Sequence, residues 1–362
     1  MQANKWIFDQ EAYQRLSSLV DVVSPSMDET DMAALLRKRW ADCGLSVKTD
    51  VMGNISAVMK GAKEINVAVC AHMDTVAVQI TNILPNGMLQ FRRIGLSPHV
   101  LLGQRVMVKT AAGTKVAGVI GFDPTSQYGQ PKGLVEEDLW IDICAASASE
   151  AEEMVAVGDL AVINYGMMPV KEDYLCGSSL DNRIGVFVQE ECIRWFEGKE
   201  VPVNLHFIAT AQEEVGLRGS AVIAAQNNYD ACVVLDVDYA TDTLYNHENQ
   251  MGSLRLGKGA GLQIKADNNP VLRKIAIEVA GEKQIDHQVS LGRFLYGGTD
   301  SSPIQLTGQG VATLNLNIPC RYMHSPVEMC HRNDVESAVN LLIGLIEKIG
   351  QRPSSTFIPG ID

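Results

Sequence analysis

Five short stretches of this sequence place imidazole or carboxylate side chains at or just after apolar runs that read as buried strands. Ala71-His72-Met73-Asp74 closes the run Ile65–Ala71. In extended backbone His72 and Asp74 point to the same side, and a carboxylate there can bond the second imidazole nitrogen, fixing the tautomer and raising ligand basicity. Taken alone, a strand-end histidine with a local partner is the simpler reading. Ser179-Leu180-Asp181-Asn182-Arg183 opens a helix, where serine and aspartate are ordinary caps. Ala211-Gln212-Glu213-Glu214-Val215-Gly216 lies between the apolar strand Leu205–Ala209 and a helix. Adjacent carboxylates there are costly unless a cation holds them, although a solvated loop would also accommodate them. Leu235-Asp236-Val237-Asp238 ends another apolar strand, where a turn aspartate is the alternative. Met323-His324-Ser325-Pro326-Val327-Glu328 follows the strand Val311–Asn317 after a break expected at Pro319. Of the 7 histidines only His72 and His324 fall directly after such runs; His99, His206, His247, His287 and His331 lack that setting. Singly these signals are unspecific. Jointly, two histidines and three or more carboxylates at the ends of neighbouring strands match what divalent zinc or cobalt asks of its ligands.

The elements that must position them alternate helix and strand. Helices are expected over Gln10–Val22 and Thr30–Cys43, then strands at Ser46–Thr49, Ile55–Met59 and Ile65–Ala71. From Val76 to Tyr165 the pattern changes to short strand-like runs separated by turn residues: Val78–Leu84, the turn Pro85-Asn86-Gly87, Leu89–Arg93, Arg105–Lys109, Lys115–Ile120 and Leu139–Ile143. That stretch reads as a small all-β, barrel-like domain, residues 76–165, inserted into a catalytic domain made of residues 1–75 and 166–362. Alternation resumes with helix Asp181–Phe196, strand Val203–Thr210, helix Leu217–Ala225, strand Ala231–Val237, helix Pro270–Ala280, strand Val311–Asn317 and a closing helix Asp334–Ile349. The expected fold is α/β, a mostly parallel sheet covered by helices on both faces, with its site at the carboxyl ends of the strands.

Composition narrows the classes. At 362 residues, one large domain with a smaller one inserted is the natural arrangement. No apolar run approaches the roughly 20 residues of a membrane span, and residues Met1–Trp6 carry no export signal, so a cytoplasmic protein is expected. A net charge of −13 without a basic block argues against nucleic acid and anionic lipid as partners. The 8 cysteines include no Cys-x-x-Cys pair and read as buried thiols, with a small reservation for Cys70 and Cys320 beside the motifs.

The order His-x-Asp, Asp-Asn-Arg, Gln-Glu-Glu-Val-Gly, Asp-x-Asp, His-Ser-Pro strongly resembles the tetrahedral aminopeptidases, dinuclear metallo-exopeptidases that include glutamyl and deblocking aminopeptidases. The likeness runs almost end to end, with support from Leu102–Val106, Leu217–Ser220, Leu256–Gly259 and Gly297–Asp300. The resemblance implies that Asp181 is shared by two divalent ions, zinc or cobalt, that His72 and Asp236 complete one, and that Glu214 and His324 complete the other. It implies that Asp74 orients His72 and that Glu213 is the general base acting on short peptides. It also implies a homo-oligomer, a hollow dodecamer assembled through the inserted domain. One departure is Thr75, where many relatives carry an acid, so side-chain preference does not transfer. Gly297–Asp300 and Arg321–Tyr322 are candidates to line the substrate pocket, Gly297-Gly298 being equally a turn before a helix capped by Thr299 or Asp300.

Three other functions compete. A glycoside hydrolase would use two carboxyls without metal or histidine ligands, which the His72 and His324 motifs oppose. A deacylase on the same metal platform differs only in its pocket. A metal-binding scaffold would be favoured by a missing base or ligand, and none is missing.

Overall fold

The computed structural model describes residues 5–123, 135–244, 248–352 and 357–360. Its strands are β1 (Val47–Thr49), β2 (Ile55–Met59), β3 (Lys63–His72), β4 (Ala77–Ile83), β5 (Leu89–Ile94), β6 (Arg105–Lys109), β7 (Lys115–Phe122), β8 (Leu139–Asp142), β9 (Leu160–Val162), β10 (Met167–Met168), β11 (Tyr174–Gly177), β12 (Val203–Thr210), β13 (Ala231–Tyr239), β14 (Ala260–Gln263), β15 (His287–Ser290), β16 (Ala312–Cys320) and β17 (Glu328–His331). Eight of them form one sheet in the order β1-β2-β12-β3-β13-β16-β14-β15. The central four are parallel neighbours. The pairs β1/β2, β2/β12 and β14/β16 are antiparallel, so the sheet is mixed, and the expected parallel character belongs to its centre and to the edge pair β14/β15. The short Asp50–Asn54 turn between β1 and β2 allows only an antiparallel pair.

Side chains on the central strands alternate between two cores. On β3, Val67, Val69 and Ala71 face the larger core under the helices Gln10–Val20, Leu180–Phe196, Pro270–Lys283 and Arg332–Gln351. Ala68 and Cys70 face a smaller core closed by Ile223 and Ala224 of the helix Arg218–Gln226 and Ile304 of the helix Ser301–Gln305. Strand β13 divides in the same way, Val233 and Leu235 to one side and Cys232 and Val234 to the other. Burial on both faces is why these strands read as continuous apolar runs.

Between β3 and β10, strands β4 to β9 close into a barrel in the order β4-β5-β8-β7-β6-β9 around Val78, Ile80, Leu89, Phe91, Val108 and Ile141. The stretch is not purely β. It holds the helices Pro98–Leu101 and Ala148–Met154, the second capped by Ser147, whose side chain accepts from the Glu150 N–H. Among the described residues no helix is long and apolar enough to cross a membrane.

Some boundaries differ from those expected, and the differences matter for the site. His72 lies inside β3 rather than after it, and β13 runs on past Val237 to Tyr239, so Asp238 as well as Asp236 is a strand residue. There is no break at Pro319: β16 continues through it to Cys320. Beyond Asn317, β14 no longer pairs with β16, so proline's missing N–H interrupts no ladder on that side. Asp181 is not a helix cap. It and Asn182 have non-helical backbone angles at the start of Leu180–Phe196, and Ser179 ahead of them makes no side-chain cap.

Candidate metal centre

The motif side chains converge where the central strands end. His72 Nε2 lies 3.1 Å from Asp181 Oδ1 and 3.7 Å from Asp236 Oδ1. Asp181's other oxygen, Oδ2, lies 3.3 Å from His324 Nε2, which is itself 3.3 Å from Glu214 Oε2. The donor atoms therefore fall into two groups with Asp181 in common, His72/Asp181/Asp236 and Asp181/Glu214/His324, each compact enough to hold one ion. A third compact group, His72/Glu213/Glu214, puts Glu213 in the same cavity. That cavity, about 310 Å³, is lined by these residues together with Tyr239, Phe294 and Met323.

The supporting contacts reach further than the motifs suggested. Asp74 is fully buried, and His72 Nδ1 is closer to its backbone oxygen, 3.2 Å, than to its carboxylate, 3.4 Å. The carboxylate instead accepts the N–H groups of Glu213 at 3.0 Å and Glu214 at 3.1 Å, and the hydroxyl of Ser26 at 2.7 Å. Glu328, quoted in a motif but given no role, accepts the backbone N–H of Asp181 at 2.9 Å and of His324 at 2.8 Å. His324 holds a left-handed backbone with φ +58°, sparsely populated for a side-chain-bearing residue, and Glu328 pins it there. Its Nδ1 faces the Gly95 carbonyl at 3.0 Å, so the barrel segment helps to orient a residue of the sheet edge. A backbone carbonyl leaves no sequence signal. Thr75, the departure from the family pattern, is buried and donates to the Asp181 carbonyl at 3.5 Å.

Electrostatically the cluster is short of positive charge. Burial, then Asp181, pushes Glu214 up to about 8. Burial, Glu214, Asp236 and Asp300 push Glu213 up, against His72. Burial would lower His324, but Asp181 and Glu214 raise it to about 10. Among the described residues the buried Glu214 Oε1 has no hydrogen-bond partner, a cost that a cation removes. Two imidazoles, three carboxylates and one orphaned oxygen fit divalent metal well. The folded, metal-free protein binds more protons than the unfolded chain between about 4.5 and 8 at Glu214 and between about 6.5 and 10 at His324. Its stability must then fall as pH rises through both windows. Thermal unfolding of the chelated protein from pH 5 to 9 is expected to show a steadily falling Tm, flattened by added zinc; a chelated Tm that rises with pH would contradict the arrangement.

The family model of the M42 glutamyl aminopeptidases matches residues 53–341. The chain belongs to the M42 family. It is 32% identical over 327 residues to the lysyl aminopeptidase of Pyrococcus furiosus, covering 88% of this chain and 91% of that one. The aminopeptidase APDkam598 from the archaeon Desulfurococcus kamchatkensis superposes with a TM-score of 0.87 at 31% identity, over 93% of this chain and 94% of its own. TET1 peptidase of Pyrococcus horikoshii, which can assemble into a tetrahedron or a large octahedral shell, superposes with a TM-score of 0.83 at 29% identity, covering 92% and 98%. This M42 protein is accordingly a hydrolase of peptide bonds.

The other candidates of the M42 chain sort clearly. His99 is exposed on Pro98–Leu101, His206 faces Asn66, His287 bonds the Ile285 carbonyl, and His331 caps the last helix by accepting from the Asn333 N–H. None of these four enters the centre; His247 lies outside the described residues. Asp300 does not cap its helix with its side chain; its carboxylate accepts from the Thr210 hydroxyl at 2.5 Å and stands near the Cys70 thiol. Gly298 lines the cavity between the two candidate groups, Tyr322 a neighbouring one, and Arg321 is paired with Asp242 at 2.7 Å.

Proposed function

We propose that this chain is a metal-dependent aminopeptidase that removes N-terminal residues from short peptides, with two divalent ions, zinc or cobalt, and Glu213 as general base. The observation that carries the reading is Asp181, whose two oxygens face separate donor groups, His72 with Asp236 and Glu214 with His324. Bound there, the ions would acidify a water and neutralise the charge that develops on the scissile carbonyl oxygen. Glu213, in the same cavity but outside both groups, takes the proton of the attacking water and returns it to the leaving amine. Asp74 fixes this residue by its backbone N–H. The barrel segment, with Gly95 against His324, is where we place assembly into a closed dodecamer like the shells of TET1 peptidase. Eight free cysteines suit a cytoplasmic setting.

Beside the metal cavity and sharing Tyr239 with it lies a larger one of about 600 Å³, lined by Tyr239, Thr241, Gln250, Met251, Arg293 and Tyr322 among others. Arg293 stacks at 5.3 Å over Tyr239 and 5.4 Å over Phe294, and among the described residues no carboxylate lines that cavity. A substrate side chain placed there meets one positive charge. On a panel of aminoacyl-nitroanilides, glutamyl and aspartyl substrates are expected to exceed lysyl and arginyl ones by roughly 10-fold or more in kcat/KM, the equivalent of about 1.4 kcal/mol. Arg293→Ala should erase the difference. Chelation should stop hydrolysis, and zinc or cobalt should restore it. A glycosidase would ignore chelator, and silence across the panel with metal bound would favour a deacylase.

A further inference from the structure

The turn that carries Glu213 and Glu214 is held in an unusual way. Four consecutive backbone N–H groups, those of Ala211, Gln212, Glu213 and Glu214, donate to side chains: Asn54 at 2.9 Å, Glu29 at 3.0 Å, and the two oxygens of Asp74 at 3.0 and 3.1 Å. Gln212, in the middle, has φ +58°, a left-handed backbone that costs a side-chain-bearing residue about 1–2 kcal/mol. Something must hold it there, and its own N–H is held by Glu29 alone.

Glu29 comes from the strap between the first two helices. Its Oε1 also accepts the Met27 N–H at 3.0 Å, so the strap and the turn share one carboxylate oxygen. The strap is tied in turn to the end of β3: the Ser26 N–H donates to the Thr75 carbonyl, the Ser26 hydroxyl to Asp74, and the Ser24 hydroxyl to the Met73 carbonyl. Glu29 is only 7% exposed. Burial and the nearby Asp74 push it up to about 7, so a carboxylate here is costly and its N–H bonds offset that cost only in part. Unlike the Asp74 carboxylate, which lies 3.4 Å from His72, the Glu29 carboxylate accepts the backbone N–H groups of Met27 and Gln212.

We infer that Glu29 is a positioning residue for the reaction, setting through the Gln212 N–H where the Glu213 carboxylate stands. The inference rests on Glu213 being the base. Glu213 and Glu214 are both tied by Asp74; Glu29 acts on the residue just before the pair, next to Glu213 and one residue further from Glu214. A loosened turn shifts the base by a fraction of an ångström to an ångström, which costs up to about 100-fold in rate.

The test compares Glu29→Ala, Glu29→Asp and Glu29→Gln in the metal-loaded enzyme. Glutamine keeps an acceptor oxygen at the same reach; aspartate is one methylene short. The expected result is a fall in kcat on the order of 10- to 100-fold for Ala, a smaller fall for Asp and near-native turnover for Gln. KM and bound metal should stay within about 2-fold of the parent, and the amides of residues 211–217 should exchange hydrogen faster in Ala and Asp. The exchange readout needs no activity. Unchanged exchange in Ala and Asp, native kcat in both, or loss of metal in parallel with kcat would each overturn the inference. If Glu29→Ala fails to fold, the Asp and Gln pair decides. Glu213→Gln measured alongside keeps the two readings apart: full activity there removes the base assignment, whereas the exchange data still report on whether Glu29 holds the turn.

Discussion

Replacing Glu213 with glutamine is expected to lower kcat on the order of 10²- to 10⁴-fold with both metal equivalents still bound. The two adjacent glutamates share burial and backbone anchoring, since Asp74 receives both N–H groups, so chemistry rather than location separates them. Glu214 is 3.3 Å from His324 and stands with Asp181 and His324 as a donor. Glu213 belongs to neither of the groups that share Asp181. Its raised proton affinity, caused by burial and the surrounding carboxylates against His72, will fall when cations enter, leaving it ionised and able to accept a proton. Glutamine keeps the shape and a hydrogen-bonding oxygen but cannot take that proton. The measurement is kcat at saturating substrate, with metal counted on the same sample. If metal is lost with activity, the group His72/Glu213/Glu214 is the real one and Glu213 is a ligand. If activity survives, the base lies elsewhere.

How much of this was legible in the sequence depends on what kind of contact carries each role. The two central strands that run into the site, β3 and β13, were visible because burial on both faces forces unbroken apolar runs such as Ile65–Ala71. Their ends were read short, since His72 and Asp238 are strand residues whose polarity hides the fact. Pro319 misled for a similar reason: proline breaks a strand only where its N–H would be used, and at that point β14 has stopped pairing. Strands β14, β15 and β17, each four residues long, were not read, although the comparably short β1 and β8 were. The five side chains of the two candidate groups that share Asp181 were legible as motifs. The groups that support them were not, because Glu29 and Glu328 accept backbone N–H groups, the Ser26 hydroxyl donates to Asp74 and the Gly95 carbonyl faces His324, all across long sequence separations. A glutamate just ahead of a helix, as Glu29 is, looks like an ordinary helix start.

Asp181→Ala should do what no other single donor substitution does, namely empty both metal positions at once. His72 and Asp236 would remain on one side, and Glu214 and His324 on the other, each set reduced to two donors from three. Two donors with an open shell hold zinc far more weakly than three. Asp236→Ala, by contrast, damages only the group with His72, so one equivalent should stay. Stability reports the same difference without any substrate. A ligand at 100 times its Kd stabilises the folded state by about 2.7 kcal/mol per site, so zinc should raise the Tm of the parent clearly, raise that of Asp236→Ala by roughly half as much, and leave Asp181→Ala where chelator leaves it. Asp181 also lies between two imidazoles, and its carboxyl is held below the usual carboxylate range by His324 and His72 despite burial. In the metal-free protein the substitution therefore removes the group that pairs with both histidines, and their affinity for protons should drop with it. A variant that keeps one tightly bound ion would mean that the two positions are independent, with Asp181 serving only one of them, and the shared-carboxylate reading of the centre would have to be given up.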